Sequence, residues 1–251
     1  MAHFYLDDSL DAQLREAGRE VGAVVRLRGA DARHAATVSR VRPGERLRLG
    51  DGAGLVVVGT VSSAESTEVV LEVEHVERTP RPALRIHLVQ ALAKGDRDEL
   101  ALQAATELGV DVVVPWQAAR SISRWDAAKA IKGRERWTTI AREASKQSLR
   151  AWLPEIEPVS TTRQLAERAP QVTMLVLDPE GDTALSDLTA PDLAPRDIVL
   201  VVGPEGGIAA DEFATLSAAG ARRVRLGPTV LRTSTAGPAA IAVLSAVLGR
   251  W

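Results

Sequence analysis

Four short runs constrain the chain most: LRIHLVQAL (84–92), VDVVVP (110–115), VTMLVL (172–177) and DIVLVV (197–202). LRIHLVQAL is a buried-strand candidate and VDVVVP a strand, while VTMLVL and DIVLVV are uniformly apolar and rich in Val and Leu, with no alternation. A strand wetted on one face alternates, whereas a strand covered on both faces does not, and such strands belong to the middle of a parallel sheet. Helical segments stand between and after them. DRDELALQAATELG (96–109) predicts a helix, with Asp96 as cap, Glu99 three residues on, Leu100, Ala104 and Leu108 sharing a face, and Gly109 at the end. Residues 126–149 predict a long helix, ADEFATLSAAG (210–220) another, RRVRLG (222–227) a last strand, and 234–249 a last helix. Pro238 is expected in the first turn of that helix, where Thr233, Ser234 and Thr235 would cap free N–H groups. The alternation is that of an α/β domain with a mostly parallel sheet.

The first 80 residues differ. AVVRLRG (23–29), ERLRLGD (45–51), GLVVVGTVSS (54–63) and TEVVLEVEHVE (67–77) predict strands, with a hairpin turn at GDGAG (50–54) and a short helix at DARHAATVSRV (31–41). Short strands and tight turns in so few residues suggest a small β-barrel. The Pro- and Arg-rich ERTPRPALR (77–85) marks the change of character. The expected domains are 1–78, a β-barrel, and 79–251, the α/β part.

With no cysteine among 251 residues, disulfides, thiolate metal sites and cysteine nucleophiles are excluded. His3, His34, His75 and His87 are scattered, so no metal is expected. No run has the length of a membrane span, and the acidic start has no apolar signal core, so a cytoplasmic protein is expected.

Three strand ends carry Gly- and Pro-rich loops: LDPEGD (177–182), GPEGG (203–207) and LGPTVLRTSTAG (226–237). Ligands in open α/β sheets bind beyond the carboxyl ends of the strands, where glycines let backbone approach the ligand. Neither a dinucleotide fingerprint nor a phosphate loop fits, because the glycines fall at 203, 206 and 207 and Ile208 follows. Asp178, Glu180, Asp182 and Glu205 at the same edge suit a neutral or cationic ligand. No G-x-S-x-G elbow is present, so the chemistry is expected to rest on positioning and a reactive cosubstrate.

The net charge of −2 conceals two basic bands: nine Arg against four acids over 15–48, and nine basic against three acidic residues over 120–150. Trp116, Trp125, Trp137 and Trp152 are interleaved with the second band. Trp137 suits core packing; Trp125 and Trp152 are the better stacking platforms for bases, while Arg142, Lys146 and Arg150 would form one helical stripe along phosphates. Solvated helix faces remain the plain alternative.

KGDRDELALQAATELGVDVVVP (94–115), RSISRW (120–125), VVGPEGGIAADE (201–212) and LGPTVLRTSTAGPAA (226–240) occur in this order. Together they closely resemble the SPOUT-class methyltransferases that methylate N3 of a uridine in small-subunit (16S) ribosomal RNA, over essentially the whole chain. The resemblance implies a PUA-like β-barrel before a trefoil-knotted α/β domain, and a homodimer with the active site at its interface. It implies S-adenosylmethionine held by the three loops, through Leu177, Gly203, Pro204, Gly206, Gly207, Leu226, Gly227, Leu231, Thr233, Thr235 and Ala236. Arg232 and Glu205 would be catalytic, the first stabilising charge on the uracil ring and the second serving as base or offsetting the sulfonium. The ribosomal RNA, within the assembled subunit, would be contacted by Arg26, Arg28 and Arg33 of the barrel and by Lys94, Arg120, Arg124, Arg142, Lys146, Gln147 and Arg150. Departures from the family pattern stand at Ser234 (commonly Glu), Ala104 (commonly Lys) and Lys146 (commonly Glu). The alternatives are a SPOUT enzyme acting on a ribose hydroxyl or a tRNA, a non-catalytic RNA-binding or assembly factor, and a small-molecule α/β enzyme.

Overall fold

The structure, a computed structural model, describes residues 4–193 and 195–251; His3 lies outside them. The chain forms two compact units, residues up to Arg81 with Ser145–Leu153, and Pro82–Ala144 with Pro154–Trp251. Among the described residues no helix is long and apolar enough to cross a membrane.

The first unit is built on five strands: β1 (Phe4–Leu6), β2 (Val24–Arg28), β3 (Arg46–Gly50), β4 (Leu55–Ala64) and β5 (Glu68–Arg78). Their order is β1-β3-β4-β5-β2, antiparallel except for β1 on β3. The four expected strands are present, and β1 and helix α1 (Leu10–Ala17) are additions. Among the described residues no β1–β2 ladder closes the sheet. Instead Leu10 and Leu14 of α1 join Val25, Leu27, Leu49 and Leu71 in the core. Helix α2 (Gly29–Arg33) runs on as a π-helical turn through Val38.

Part of this unit comes from the far end of the second basic band. Leu153 packs with Phe4, Leu6 and Val56. The Trp152 indole N–H donates to the Thr79 carbonyl, 2.9 Å, and Arg81 lies 5.0 Å over its ring. Gly54 has φ +100°, and a Cβ there would stand 2.7 Å from that indole. Trp152 is therefore a packing residue and not the free stacking platform expected.

Among its described residues the second unit has seven strands, all parallel: β6 (Ile86–Ala91), β7 (Val112–Trp116), β8 (Glu155–Ile156), β9 (Thr173–Leu177), β10 (Thr183–Ala184), β11 (Ile198–Val202) and β12 (Arg222–Arg225), in the order β10-β12-β9-β11-β6-β7-β8. The apolar runs are its central strands, and β6, β7 and β11 are buried at every position. Both faces carry a core, one around Leu88, Leu175 and Leu200, the other around Val89, Val176 and Val201. The helices are α3 (Arg97–Glu107), α4 (Ala127–Gln147), α5 (Thr162–Arg168), α6 (Ala190–Leu193), α7 (Ala210–Ala218) and α8 (Thr233–Val247). This is the mostly parallel α/β domain expected, and the three Gly- and Pro-rich loops share one end of the sheet.

Three local expectations are corrected. In α3 the buried face is Ala101, Leu102 and Ala105, while Leu100 is exposed. Its sequence is apolar on more than one face, so periodicity alone misplaces the stripe that meets α8. Asp96 takes a left-handed conformation (φ 59°) and makes no side-chain cap. Pro238 lies in the second turn of α8, not the first, and its ring is buried.

Candidate active site

A cavity of about 490 Å³ opens at the carboxyl end of β9, β11 and β12, within the second unit. Its walls come from the three loops: Leu177 and Asp178, then Gly203, Pro204, Glu205, Gly207 and Ile208, then Leu226, Gly227, Leu231, Arg232, Thr233 and Ala236. Of the residues expected around the cofactor, only Gly206 and Thr235 are absent from the lining. Arg97, Phe213 and Val230 line it as well and were not foreseen.

The loops are fixed by long-range polar contacts. Thr233 was expected to cap α8, but its hydroxyl donates to the Gly203 carbonyl, 2.8 Å, and accepts from Gln90 Nε2, 3.0 Å. Thr235 turns back to the Arg232 carbonyl, 3.1 Å. Thr233 thus joins the second and third loops over the end of β6. Gln90 is fully buried and its Oε1 has no partner among the described residues. Gly207 has φ +73°, and a Cβ at Gly203 would stand 2.7 Å from Ile208 Cγ1, so the GPEGG turn takes this shape with glycine at both positions.

Glu205 is held from below. Its Oε1 accepts from Arg97 Nη1, 3.0 Å, and from the Lys94 backbone N–H, 3.3 Å. Arg120 Nη1 donates to the Gly206 carbonyl, 3.0 Å. The GPEGG turn is therefore clamped by the β6–α3 loop on one side and the segment after β7 on the other. Asp98, unnoticed in the sequence, fixes the first of these. Its carboxylate accepts from Ala93 N–H and Glu99 N–H, both 3.0 Å. Burial pushes its pKa above the ordinary value, partly opposed by those N–H groups.

The acidic edge is not bare. Asp178 is ion-paired with Arg223, whose guanidinium also lies 4.6 Å over Phe213. Arg225 donates to the Gly181 and Asp182 carbonyls. The argument from crowded acids is corrected accordingly: Asp178 and Glu205 have arginine partners, and what remains for a ligand is a largely apolar chamber lined by backbone. Arg232 is exposed at its mouth, and its guanidinium has no partner among the described residues.

The expected RNA contacts are dispersed. Arg26 and Arg28 both pair with Glu68. Arg33 is exposed. Lys146 pairs with Asp31 at 2.9 Å, both largely buried. The stripe through Arg142, Lys146 and Arg150 is broken, because α4 stops at Gln147 and Leu149 is left-handed (φ 58°). Arg124 donates to the Ala119 carbonyl, 2.9 Å. Lys94, Arg120 and Arg124 remain at the rim of the second unit, in segments that touch the GPEGG turn or border those that do.

An RNA methyltransferase domain family matches residues 79–245, and an RNA methyltransferase PUA domain family matches residues 27–74. The chain is 43% identical over 239 residues to a ribosomal RNA small subunit methyltransferase E of Mycobacterium bovis, covering 92% of this chain and 90% of that protein. A ribosomal RNA small subunit methyltransferase E of Neisseria gonorrhoeae, solved bound to S-adenosyl methionine, superposes with TM-score 0.84 at 31% identity, covering 98% of each chain. A Legionella pneumophila methyltransferase in complex with the same cofactor superposes with TM-score 0.78 at 31% identity, covering 90% of this chain and 93% of that one.

Proposed function

The chain belongs to the RNA methyltransferase family of the ribosomal RNA small subunit methyltransferases E, and from that premise we propose that it transfers a methyl group from S-adenosylmethionine to N3 of a uridine in small-subunit ribosomal RNA. The observation that carries this reading is the strand-end chamber, walled by all three loops, the second and third of which are tied together through Thr233. Its volume suits a ligand of cofactor size, and its lining suits this one. Leu177, Leu226 and Leu231 offer apolar contact to an adenine, and the GPEGG backbone offers amides and carbonyls that no side chain obstructs. When bound, the cofactor supplies an electrophilic methyl group on a sulfonium.

The chain's own groups then act on the uracil. N3 becomes nucleophilic as its proton passes to solvent water, and negative charge grows on the ring oxygens. The Arg232 guanidinium at the mouth of the chamber stabilises that charge, a pre-placed cation aimed where charge develops. Glu205 has Oε1 committed to Arg97 and to the Lys94 N–H. We assign it to holding the GPEGG turn in shape and not to taking the proton. Exposed Lys94 and Arg33 are suited to phosphates. The enzyme works as a homodimer in the cytoplasm on this reading, with the assembled subunit as substrate.

The test is methyl transfer from labelled S-adenosylmethionine to small-subunit particles lacking the modification, followed by nucleoside analysis. Label in 3-methyluridine is expected. Label in a 2′-O-methylated nucleoside, or in tRNA only, would reassign the target, and absence of transfer would leave an RNA-binding protein.

A further inference from the structure

A second cavity, about 310 Å³, lies on the other side of the Lys94–Arg97 loop from the cofactor chamber. It too is contained in the second unit. Lys94, Gly95, Ser123 and Trp125 line it, with Asp98 and Trp137 among its buried walls. The geometry points to a subsite for one unstacked base of the RNA strand, a nucleotide other than the one methylated. This inference rests on the RNA methyltransferase reading above.

The Trp125 indole is half-buried and packed against Trp137 and Gly133. It meets Trp137 edge to face, with ring centroids 5.5 Å apart. Its backbone N–H donates to Gln117 Oε1, 2.8 Å. A Cβ at Gly133 would stand 2.5 Å from the ring, so the helix surface beneath it is glycine because the indole lies there. A platform fixed before binding loses little entropy when a base stacks on it.

The remaining walls supply what a base and its phosphate need. The Ser123 hydroxyl has no hydrogen-bond partner among the described residues, nor has the Lys94 ammonium. Gly95 has φ +67° and nothing within 4 Å of a Cβ, so its backbone is open to a base edge. Arg124 sits between Ser123 and Trp125 in the chain and is exposed. The loop between the cavities is pinned twice, by Asp98 on Ala93 and by Glu205 on Lys94. That wall keeps a base in this cavity away from the methyl donor, which is why it belongs to a neighbouring nucleotide.

The experiment uses the full chain, small-subunit particles and two variants. Trp125→Ala removes the platform, and Ser123→Leu fills the cavity at a partly exposed position without touching the Trp125–Trp137 contact. The expected result for both is a KM for RNA raised on the order of tenfold, the effect of one lost stacking contact, with kcat and calorimetric S-adenosylmethionine affinity kept. Trp125→Phe should restore most of the loss. Wild-type KM for RNA in Ser123→Leu, while the wild type methylates normally, overturns the subsite and leaves the methyltransferase reading intact. Absence of binding and methylation of small-subunit RNA by the wild type overturns both.

Discussion

At the scale of the residue, Arg232 and Glu205 face the same chamber with different partners. Arg232 projects at its mouth with no partner among the described residues, and Glu205 is tied on one oxygen to two donors. Arg232→Ala should therefore lower kcat on the order of a hundredfold or more, the usual cost of one lost charge-stabilising donor, with S-adenosylmethionine affinity unchanged by calorimetry. Equal losses in both quantities would make Arg232 a cofactor ligand. Glu205→Gln keeps an acceptor oxygen for Arg97 and Lys94 but cannot take a proton. Single-turnover rates within a few-fold of wild type are expected, and a loss comparable to that of Arg232→Ala would restore Glu205 as the base. The sequence pointed to both residues through the loops they occupy. It gave no sign of Gln90 or of the true role of Thr233, because their bond spans 143 positions and no local pattern encodes it.

At the scale of the element, the strands were legible and the joints between them were not. VTMLVL and DIVLVV announce β9 and β11 because burial on both faces removes alternation. The two-residue strands β8 and β10 carry too little pattern to be seen. The turn into α3 illustrates the rest: Asp96 has the right spacing for a cap, yet Gly95 and Asp96 are both left-handed and Asp98 makes the bonds. Asp98→Asn leaves one acceptor oxygen for two N–H groups, so a loss of about 1–3 kcal/mol is expected at pH 7 by urea unfolding. The pH dependence has a definite sign. Burial raises the native pKa of Asp98 above its unfolded value. The native state thus holds its proton more tightly, and the wild type gains stability relative to the Asn variant as pH falls through the native pKa towards the unfolded one, near 4. A constant difference across that interval would show that Asp98 is not the titrating group.

At the scale of the whole molecule, the chemistry gathers at the carboxyl ends of the parallel strands, and a separate polar cluster closes their amino ends. The first was legible as three Gly- and Pro-rich loops at strand ends, and the resemblance added what they would hold. The second went unread because His87 sits in the apolar run of β6 and its partner Asp197 lies 110 residues on. Likewise, charge and aromatic spacing could not reveal that Ser145–Leu153 belongs to the first unit, because Lys146 and Trp152 look like surface residues until Asp31 and Thr79 are placed beside them. His87 Nε2 is 3.2 Å from Asp197 Oδ2, which also accepts from Arg85 Nε, and Nδ1 is buried without a partner among the described residues. Burial holds the His87 pKa below its ordinary value, against the opposing pull of Asp197. The unfolded chain therefore takes up a proton near pH 6.5 that the native state refuses, and stability falls as pH drops through that value until the lower native pKa is reached. His87→Gln abolishes this uptake while retaining a side chain able to bond Asp197. Urea unfolding at pH 7.5 and 5.5 should show the wild type losing more stability on acidification than His87→Gln. Parallel losses would mean that other groups carry the acid sensitivity and that His87 is already protonated in the native sheet.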